Sequence, residues 1–205
     1  LGSWDVRSVT SMESMFRAAT AFNQPIDTWE PISVTTMAYM LSTGSSAFNQ
    51  DLNSWDTSKV VWMGSMFDGA FGFNGALLAW DVSRVVSMSR MFYETKVFNQ
   101  AIGSSWDTSN VRNMASMFSG SSGVTGSSIF NQDLNSWDVS KVTTLDGIFT
   151  NAKAFNGALD VWDVSSCYSM RATFSGATLF NQPLETWDTG SVTAMDFMFN
   201  LAIAF

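Results

Sequence analysis

The segment that decides the fold is FNQDLNSWDVSKVTTLDGIF, residues 130–149. Related segments recur along the whole chain, and each carries a tryptophan at the position of Trp137. Successive tryptophans are 25 or 26 residues apart, except for one step of 31 residues. The eight repeat tryptophans are Trp4, Trp29, Trp55, Trp80, Trp106, Trp137, Trp162 and Trp187. A fixed period of this length predicts a stack of equivalent units rather than a globular domain.

The other large apolar residues follow the same period. Each position is numbered by its distance in residues after the repeat tryptophan, so that Val139 is at +2. A phenylalanine occupies +12 in seven repeats, with Leu41 in the eighth, and a second phenylalanine follows at +18 when insertions are allowed for. All 13 methionines fall at +8 or +11. We therefore expect tryptophan, methionine and phenylalanine to face one continuous core, with the single Cys167 as a buried and inert thiol at a core position.

Local periodicity predicts one strand and one helix in each repeat. Trp137 and Val139 are two residues apart, which is the spacing of a strand face. The apolar residues from Val142 to Ala152 then recur at steps of 3, 3, 1 and 3, as on one face of a helix, and Ser140 precedes them as a candidate N-cap. The prediction is an α/β solenoid of eight strand–helix repeats of about 25 residues, stacked through a parallel sheet.

The stack is predicted to be one repeat domain that spans residues 1–205. The Gly/Ser-rich insertion at 119–128 lies between two intact repeat phenylalanines, so it is expected to form a loop that leaves the stack unbroken. Neither terminal repeat has a polar capping sequence, and for this reason the chain is expected to be a segment of a longer array.

Composition excludes several classes of function. The chain has 10 basic and 18 acidic residues, a net charge of −8, one cysteine and no histidine. It therefore lacks the basic footprint of a nucleic-acid-binding protein, and it lacks the commonest general base and metal ligand. No apolar run approaches the ~20 residues of a membrane span. No catalytic constellation can be assembled, so we expect a protein that is not an enzyme and that uses no cofactor.

An acidic residue follows every repeat tryptophan, and it has three possible roles. It can accept amide hydrogen bonds in a turn, it can contribute to a column that binds cations such as Ca²⁺, or it can contact a basic partner. The turn is the favoured reading, because one carboxylate per repeat is a sparse ligand set for calcium. The candidate column is Asp5, Glu30, Asp56, Asp81, Asp107, Asp138, Asp163 and Asp188.

Two further patterns bear on binding. An asparagine usually follows the +18 phenylalanine, and we expect these amides to form an internal ladder that satisfies backbone groups, with an exposed recognition stripe as the alternative. Three aromatic residues fall outside the repeat pattern: Trp62, Phe71 and Phe197. Any of them that is exposed would be a candidate for a contact patch.

The segments FNQDLNSWDTSKV at 48–60 and FNQDLNSWDVSKV at 130–142 resemble the BspA-like surface-protein repeat, a divergent type of leucine-rich repeat. The resemblance covers essentially the whole chain. It implies a right-handed, leucine-rich-repeat-like solenoid and a cell-surface or extracellular location. It also implies roles in adhesion or protein–protein interaction, and it transfers no catalytic residue.

The sequence thus predicts a non-enzymatic surface module for adhesion or protein–protein interaction. The alternative is a structural segment of a filament, coat or large assembly, with cations assisting through the acidic column. The expected partner is another protein or a neighbouring repeat or subunit, with no nucleic acid and no membrane span in this segment.

Overall fold

The structure is a computed structural model that describes residues 1–44, 47–121 and 127–205. Over these ranges the chain forms turns and isolated parallel β-bridges, with no α-helix and no extended strand. Each repeat forms one coil, and we number the coils 1 to 8 in chain order: coil 1 contains Trp4, and each later coil begins four residues before its own tryptophan. One residue per coil, at +7, pairs in parallel with its equivalents in the adjacent coils. The bridged file is Ser11, Thr36, Trp62, Ser87, Asn113, Thr144, Ser169 and Ala194.

Adjacent coils are joined by a regular set of backbone hydrogen bonds. The amides at +8, +10, +12 and +14 of each coil donate to the carbonyls at +7, +9, +11 and +13 of the next coil, and this set is present at all seven junctions. Between coils 1 and 2 the bonds run from Met12 to Thr36 (3.0 Å), Ser14 to Ala38 (3.0 Å), Phe16 to Met40 (2.8 Å) and Ala18 to Ser42 (2.9 Å). The stack is therefore held by main-chain bonds that do not depend on side-chain identity.

The amides at +11 and +13 bond within their own coil. In coil 1 the amides of Met15 and Arg17 donate to the carbonyls three residues earlier, at 3.2 and 3.1 Å. Residues at +10 adopt positive φ in every coil, and those at +14 do so in seven coils. Most of these residues are not glycine; Tyr39 has a φ of 58° and Arg90 a φ of 56°. Such conformations cost of order 1 kcal/mol each, and the hydrogen bonds to the next coil hold them in place.

The predicted α/β strand–helix solenoid is therefore wrong. Turns closed by bonds from residue i to i−3 also place every third side chain on the inner face, which is why the steps after Val142 resembled a helix. The amides that would complete a helix by bonding to i−4 donate to the next coil instead. Ser140 caps no helix, and the parallel pairing lies at +7 rather than beside the tryptophan.

The apolar repeat residues do face a common core. The tryptophans of coils 2 to 8 are between 1% and 8% exposed, whereas Trp4 on the outer face of coil 1 is 55% exposed. The +12 phenylalanines stack on their equivalents with ring centroids 5.5–5.9 Å apart, and the +18 phenylalanines do so at 5.7–6.2 Å. Cys167 is fully buried, and that burial raises the pKa of its thiol.

Indole hydrogen bonds add a second link between coils. In six coils the tryptophan Nε1 donates to a backbone carbonyl of the preceding coil at 2.8–3.0 Å. Trp137 is the exception, since its buried Nε1 has no hydrogen-bond partner. The segment that would supply its acceptor lies between Trp80 and Trp106 and carries one extra residue near Gly103. Gly103 packs against the carbonyl of Asp133 too closely to admit a side chain. The insertion has therefore displaced the acceptor that other coils provide.

The Gly/Ser insertion lies in coil 5, and its central residues 122–126 are outside the described part of the chain. Ser119 and Ser128, at its two ends, are buried. The described residues also contain no helix with the length and apolar character needed to cross a membrane.

The left-handed positions give a direct test of this backbone. Gly147, at +10 of coil 6, has a φ of +62°, and an added Cβ would lie 3.1 Å from Thr150 Oγ1. We expect Gly147→Ala to lower the free energy of unfolding by about 1–2 kcal/mol, measured by urea denaturation.

Gly64→Ala is the matched control. Gly64 lies at +9, where Ala38 and Ala115 occur in other coils, and its added Cβ would make ordinary contact at 3.4 Å. It should change the free energy of unfolding by less than about 0.5 kcal/mol. Equal losses in the two variants would show that +10 is not held in the left-handed conformation.

Candidate interaction surface

The acidic column forms a series of identical turns. In seven coils the aspartate after the tryptophan accepts a hydrogen bond at Oδ1 from the amide two residues later, at 2.9–3.1 Å. The exception is Glu30 in coil 2, where the backbone carbonyl accepts the equivalent bond from Ile32 at 2.8 Å. All eight carboxylates are exposed. The geometry therefore shows these aspartates accepting amide hydrogen bonds in turns, which is the first of the three predicted roles.

Hydrogen bonding also lowers the pKa of several of these carboxyl groups. Hydrogen bonds from the side chain and amide of Arg7 lower the pKa of Asp5 to about 2. Hydrogen bonds from the serine two residues later, through its side chain and its amide, lower the pKa of Asp56, Asp107 and Asp163. These carboxylates therefore stay ionised to lower pH in the folded chain than in the unfolded chain.

No three acidic or thiol side chains converge as a metal site within the ranges that the structure describes. Since each column aspartate already accepts a bond from its own turn, the column presents one carboxylate per coil to solvent. Cation binding by this column stays a prediction.

The lowered pKa values predict loss of stability in acid. A carboxyl group whose pKa is lower in the folded state stabilises the fold above its unfolded pKa of about 3.9, and it loses that contribution as the pH falls through the folded value. We expect the melting temperature to fall between about pH 4 and pH 2, measured by circular dichroism in a pH series.

The triple variant Asp56→Asn, Asp107→Asn, Asp163→Asn separates the turn from the charge. An asparagine oxygen can still accept the serine amide, so this variant should fold at pH 7 and lose less stability in acid than the parent chain. The corresponding triple alanine variant should lose about 0.5–1 kcal/mol per site at pH 7. If the asparagine and alanine variants behave alike at pH 7, the turn bonds do not stabilise the chain.

The asparagines form a hydrogen-bonded ladder on an exposed edge. The Oδ1 atom of each asparagine except the last accepts a hydrogen bond from the backbone amide of the equivalent asparagine in the next coil, at 2.8–3.0 Å. The ladder is Asn23, Asn49, Asn74, Asn99, Asn131, Asn156 and Asn181, and all but Asn99 are exposed. The predicted satisfaction of backbone groups is confirmed, but the prediction that the ladder is buried is wrong, because the +18 phenylalanine beneath each asparagine fills the core.

A different surface carries exposed aromatic and basic side chains. All three cation–ring contacts found among the described residues lie in coils 1 to 4, between positions +10 and +16. Together with the exposed Trp62 at +7 they define what we name the cation–π face. Its members are Arg17, Tyr39, Trp62, Asp68, Phe71, Arg90, Tyr93 and Lys96.

Trp62 and Tyr39 provide the exposed aromatic surface of this face. Trp62 occupies the bridge position between Thr36 and Ser87 and is 50% exposed. Tyr39, in the preceding coil, is 42% exposed, and its amide donates to the carbonyl of Gly64, two residues after Trp62, at 3.0 Å. The two exposed aromatic residues therefore lie in adjacent coils, at +10 and +7.

Three cations are held against rings. The Arg17 guanidinium carbon lies 5.5 Å from the centroid of the Tyr39 ring in the next coil. That of Arg90 lies 3.7 Å from the Tyr93 ring, and the Nζ atom of Lys96 lies 4.4 Å from the Phe71 ring. These contacts restrict the basic side chains before any partner binds.

Arg90 also joins two coils through an ion pair. Its Nε donates to Asp68 Oδ2 at 2.9 Å, with the two side chains 47% and 16% exposed. The stacked and ion-paired arginine therefore has one fixed orientation, which is the geometry that planar guanidinium groups favour at interfaces.

Other coils do not continue this face. The corresponding positions +7, +10 and +13 of coils 5 to 7 carry only small or polar residues: Asn113, Thr144, Ser169, Ser116, Gly147, Ala172, Ser119, Thr150 and Ser175. Phe197 is 73% exposed but lies in coil 8. The structure thus places two of the three off-pattern aromatic residues, Trp62 and Phe71, in the same coil and leaves Phe197 apart.

Sequence reasoning missed half of the members of this face. Tyr39, Arg90, Tyr93 and Lys96 are not singled out by motif or by the repeat itself, whereas Arg17 and Asp68 stand out as outward positions that vary between repeats. Alignment of the repeats by outward position would have shown the signal, because aromatic and basic residues at +10, +13 and +16 concentrate in the first four copies.

The fold and surface define a repeat protein of stacked, turn-rich coils. The chain belongs to the DUF285 family, described as Mycoplasma protein of unknown function, whose model matches residues 1–103, 72–160 and 122–205. Comparisons with curated proteins and with solved structures gave no match. The resemblance to BspA-like leucine-rich repeats is therefore corrected: the family whose model matches is DUF285, and the residues that the structure describes form no strand–helix units like those of a leucine-rich repeat.

Proposed function

We propose that this chain is a non-enzymatic module for protein–protein interaction, which binds its partner through the cation–π face. The observation that supports this proposal is the grouping of an exposed tryptophan with three ring-stacked cations on coils 1 to 4. Tryptophan, tyrosine and arginine are the residues that most often dominate the binding energy of protein interfaces.

The rigid backbone beneath the face favours binding. Tyr39, Trp62 and Arg90 each take part in hydrogen bonds between coils, so their main chain is ordered before a partner arrives. Arg17 and Lys96 are restrained by ring contacts. Less conformational entropy is therefore lost on binding than at a flexible surface.

Adhesion is one form that such an interaction could take. The cell-surface or extracellular location stays a prediction.

The proposal predicts that binding depends on Trp62. A library of displayed random peptides selected on the immobilised chain should yield ligands that bind at least about tenfold more weakly to the Trp62→Ala variant. Their dissociation constants can be measured by biolayer interferometry, with thermal melting to show that the variant is folded.

Tyr168→Ala is the control variant, since Tyr168 is 53% exposed but lies in coil 7. It should bind the same ligands as the parent chain does. Selection of no ligand, or equal losses in the two variants, would contradict the proposed binding face.

A structural role in a larger assembly is the second candidate. It is favoured by the asparagine ladder and the acidic column, which repeat almost unchanged from coil to coil and are exposed. A periodic surface of this kind suits association between identical chains.

Light scattering after size-exclusion chromatography separates the two candidates. We expect a mass of about 22.5 kDa at every concentration, with and without millimolar Ca²⁺, because the cation–π face is irregular and its residues at +7, +10 and +13 have no aromatic or basic counterpart in coils 5 to 7. A mass that rises with concentration would favour the structural role instead if the double variant Asn74→Asp, Asn131→Asp lowers that mass.

A further inference from the structure

We infer that the segment bound by the cation–π face is an acidic, extended peptide whose carboxylates pair with Arg17 and Lys96. This inference rests on the proposed function and specifies the chemistry of the partner.

Two of the three stacked cations have no carboxylate partner. Arg90 pairs with Asp68, whereas the ion pairs of the described residues include neither Arg17 nor Lys96. Lys59, Arg84, Arg112, Lys141 and Lys153 are likewise absent from these ion pairs, so the ring beside each cation is what sets Arg17 and Lys96 apart. The fold instead places aromatic rings beside both cations.

A ring contact restrains a cation without replacing its hydrogen bonds. The aromatic face attracts the charge but accepts no strong hydrogen bond from it, so the N–H groups of Arg17 and Lys96 stay available to a carboxylate. An ion pair formed with a partner would be partly shielded from water by the rings of Tyr39 and Phe71. Charge complementarity of this kind selects an acidic partner over a neutral or basic one.

The spacing indicates an extended segment. Arg17 is in coil 1 and Lys96 in coil 4, which are three steps apart. At ~4.8 Å per step, as in parallel chain pairing, the two coils are ~14 Å apart, and four or five residues of extended peptide span that distance. Trp62 is in coil 3, between them in the order of the stack but at +7 rather than at +13 or +16, so it would contact an apolar or aromatic residue where the segment extends toward +7.

Three labelled peptides of about 12 residues test the inference by fluorescence anisotropy: one alternating glutamate and tyrosine, one with glutamine in place of glutamate, and one with lysine. We expect the glutamate peptide to bind at least about fivefold more tightly than the glutamine peptide and to weaken as salt is raised. The lysine peptide should not bind measurably.

Charge reversal on the chain locates the site. Lys96→Glu should weaken binding of the glutamate peptide at least about fivefold, and Arg17→Glu should act in the same direction. The matched control is Lys153→Glu, because Lys153 occupies the same +16 position in coil 6, where no cation–ring contact is found. Lys153→Glu should leave binding nearly unchanged. Lys96→Gln, with thermal melting of each variant, guards against loss of fold.

The outcomes distinguish the inference from the proposed function. Equal binding of the glutamate and glutamine peptides, with loss in Trp62→Ala, would overturn the acidic partner and leave the binding face in place. Equal weakening by Lys96→Glu and Lys153→Glu would show that net charge, not this face, governs binding, and would also overturn the inference. Binding of the glutamate peptide that is unaffected by both Trp62→Ala and Lys96→Glu would overturn the inference together with the proposed binding face.

Discussion

The structure depends on one division of the backbone amides. In coils 1 to 7 the amides at +8, +10, +12 and +14 donate to the next coil, while in every coil those at +11 and +13 close turns within their own coil. This arrangement satisfies the main chain without helix or sheet, as buried backbone groups require. It is accompanied by positive φ at +10 in all eight coils and at +14 in seven, and it stacks equivalent phenylalanines, whose rings then fill the core.

The repeat length, the inward residues and the turn made by the acidic residue could be predicted from sequence, because each follows from residue type at a fixed spacing. The prediction of a helix failed for a physical reason. Val142, Leu145 and Ile148 lie three residues apart, which satisfies both a helical face and a run of turns. The difference lies in where the amides donate, and side-chain spacing carries no information about that. The left-handed positions could not be predicted from sequence either, since Tyr39, Arg90 and Phe197 occupy a conformation that usually favours glycine.

The candidate surface was only partly predictable. Trp62 and Phe71 stand out because they break the repeat, but their basic neighbours become meaningful only when adjacent coils are superposed. Arg17 and Tyr39 are 22 residues apart in sequence, yet their side chains meet because the coils stack. The contrast with coils 5 to 7 likewise depends on comparing outward positions across repeats, which the motif itself does not encode.

The main-chain bonds between coils have a consequence for how such chains can change in length. Every coil offers its neighbour the same donors and the same acceptors, whichever side chains it carries. Loss or duplication of one whole coil would bring together two surfaces that already match, so the number of coils can vary without compensating substitutions at the new junction. A smaller insertion can leave a defect, as the unsatisfied indole of Trp137 and the inserted Gly103 illustrate.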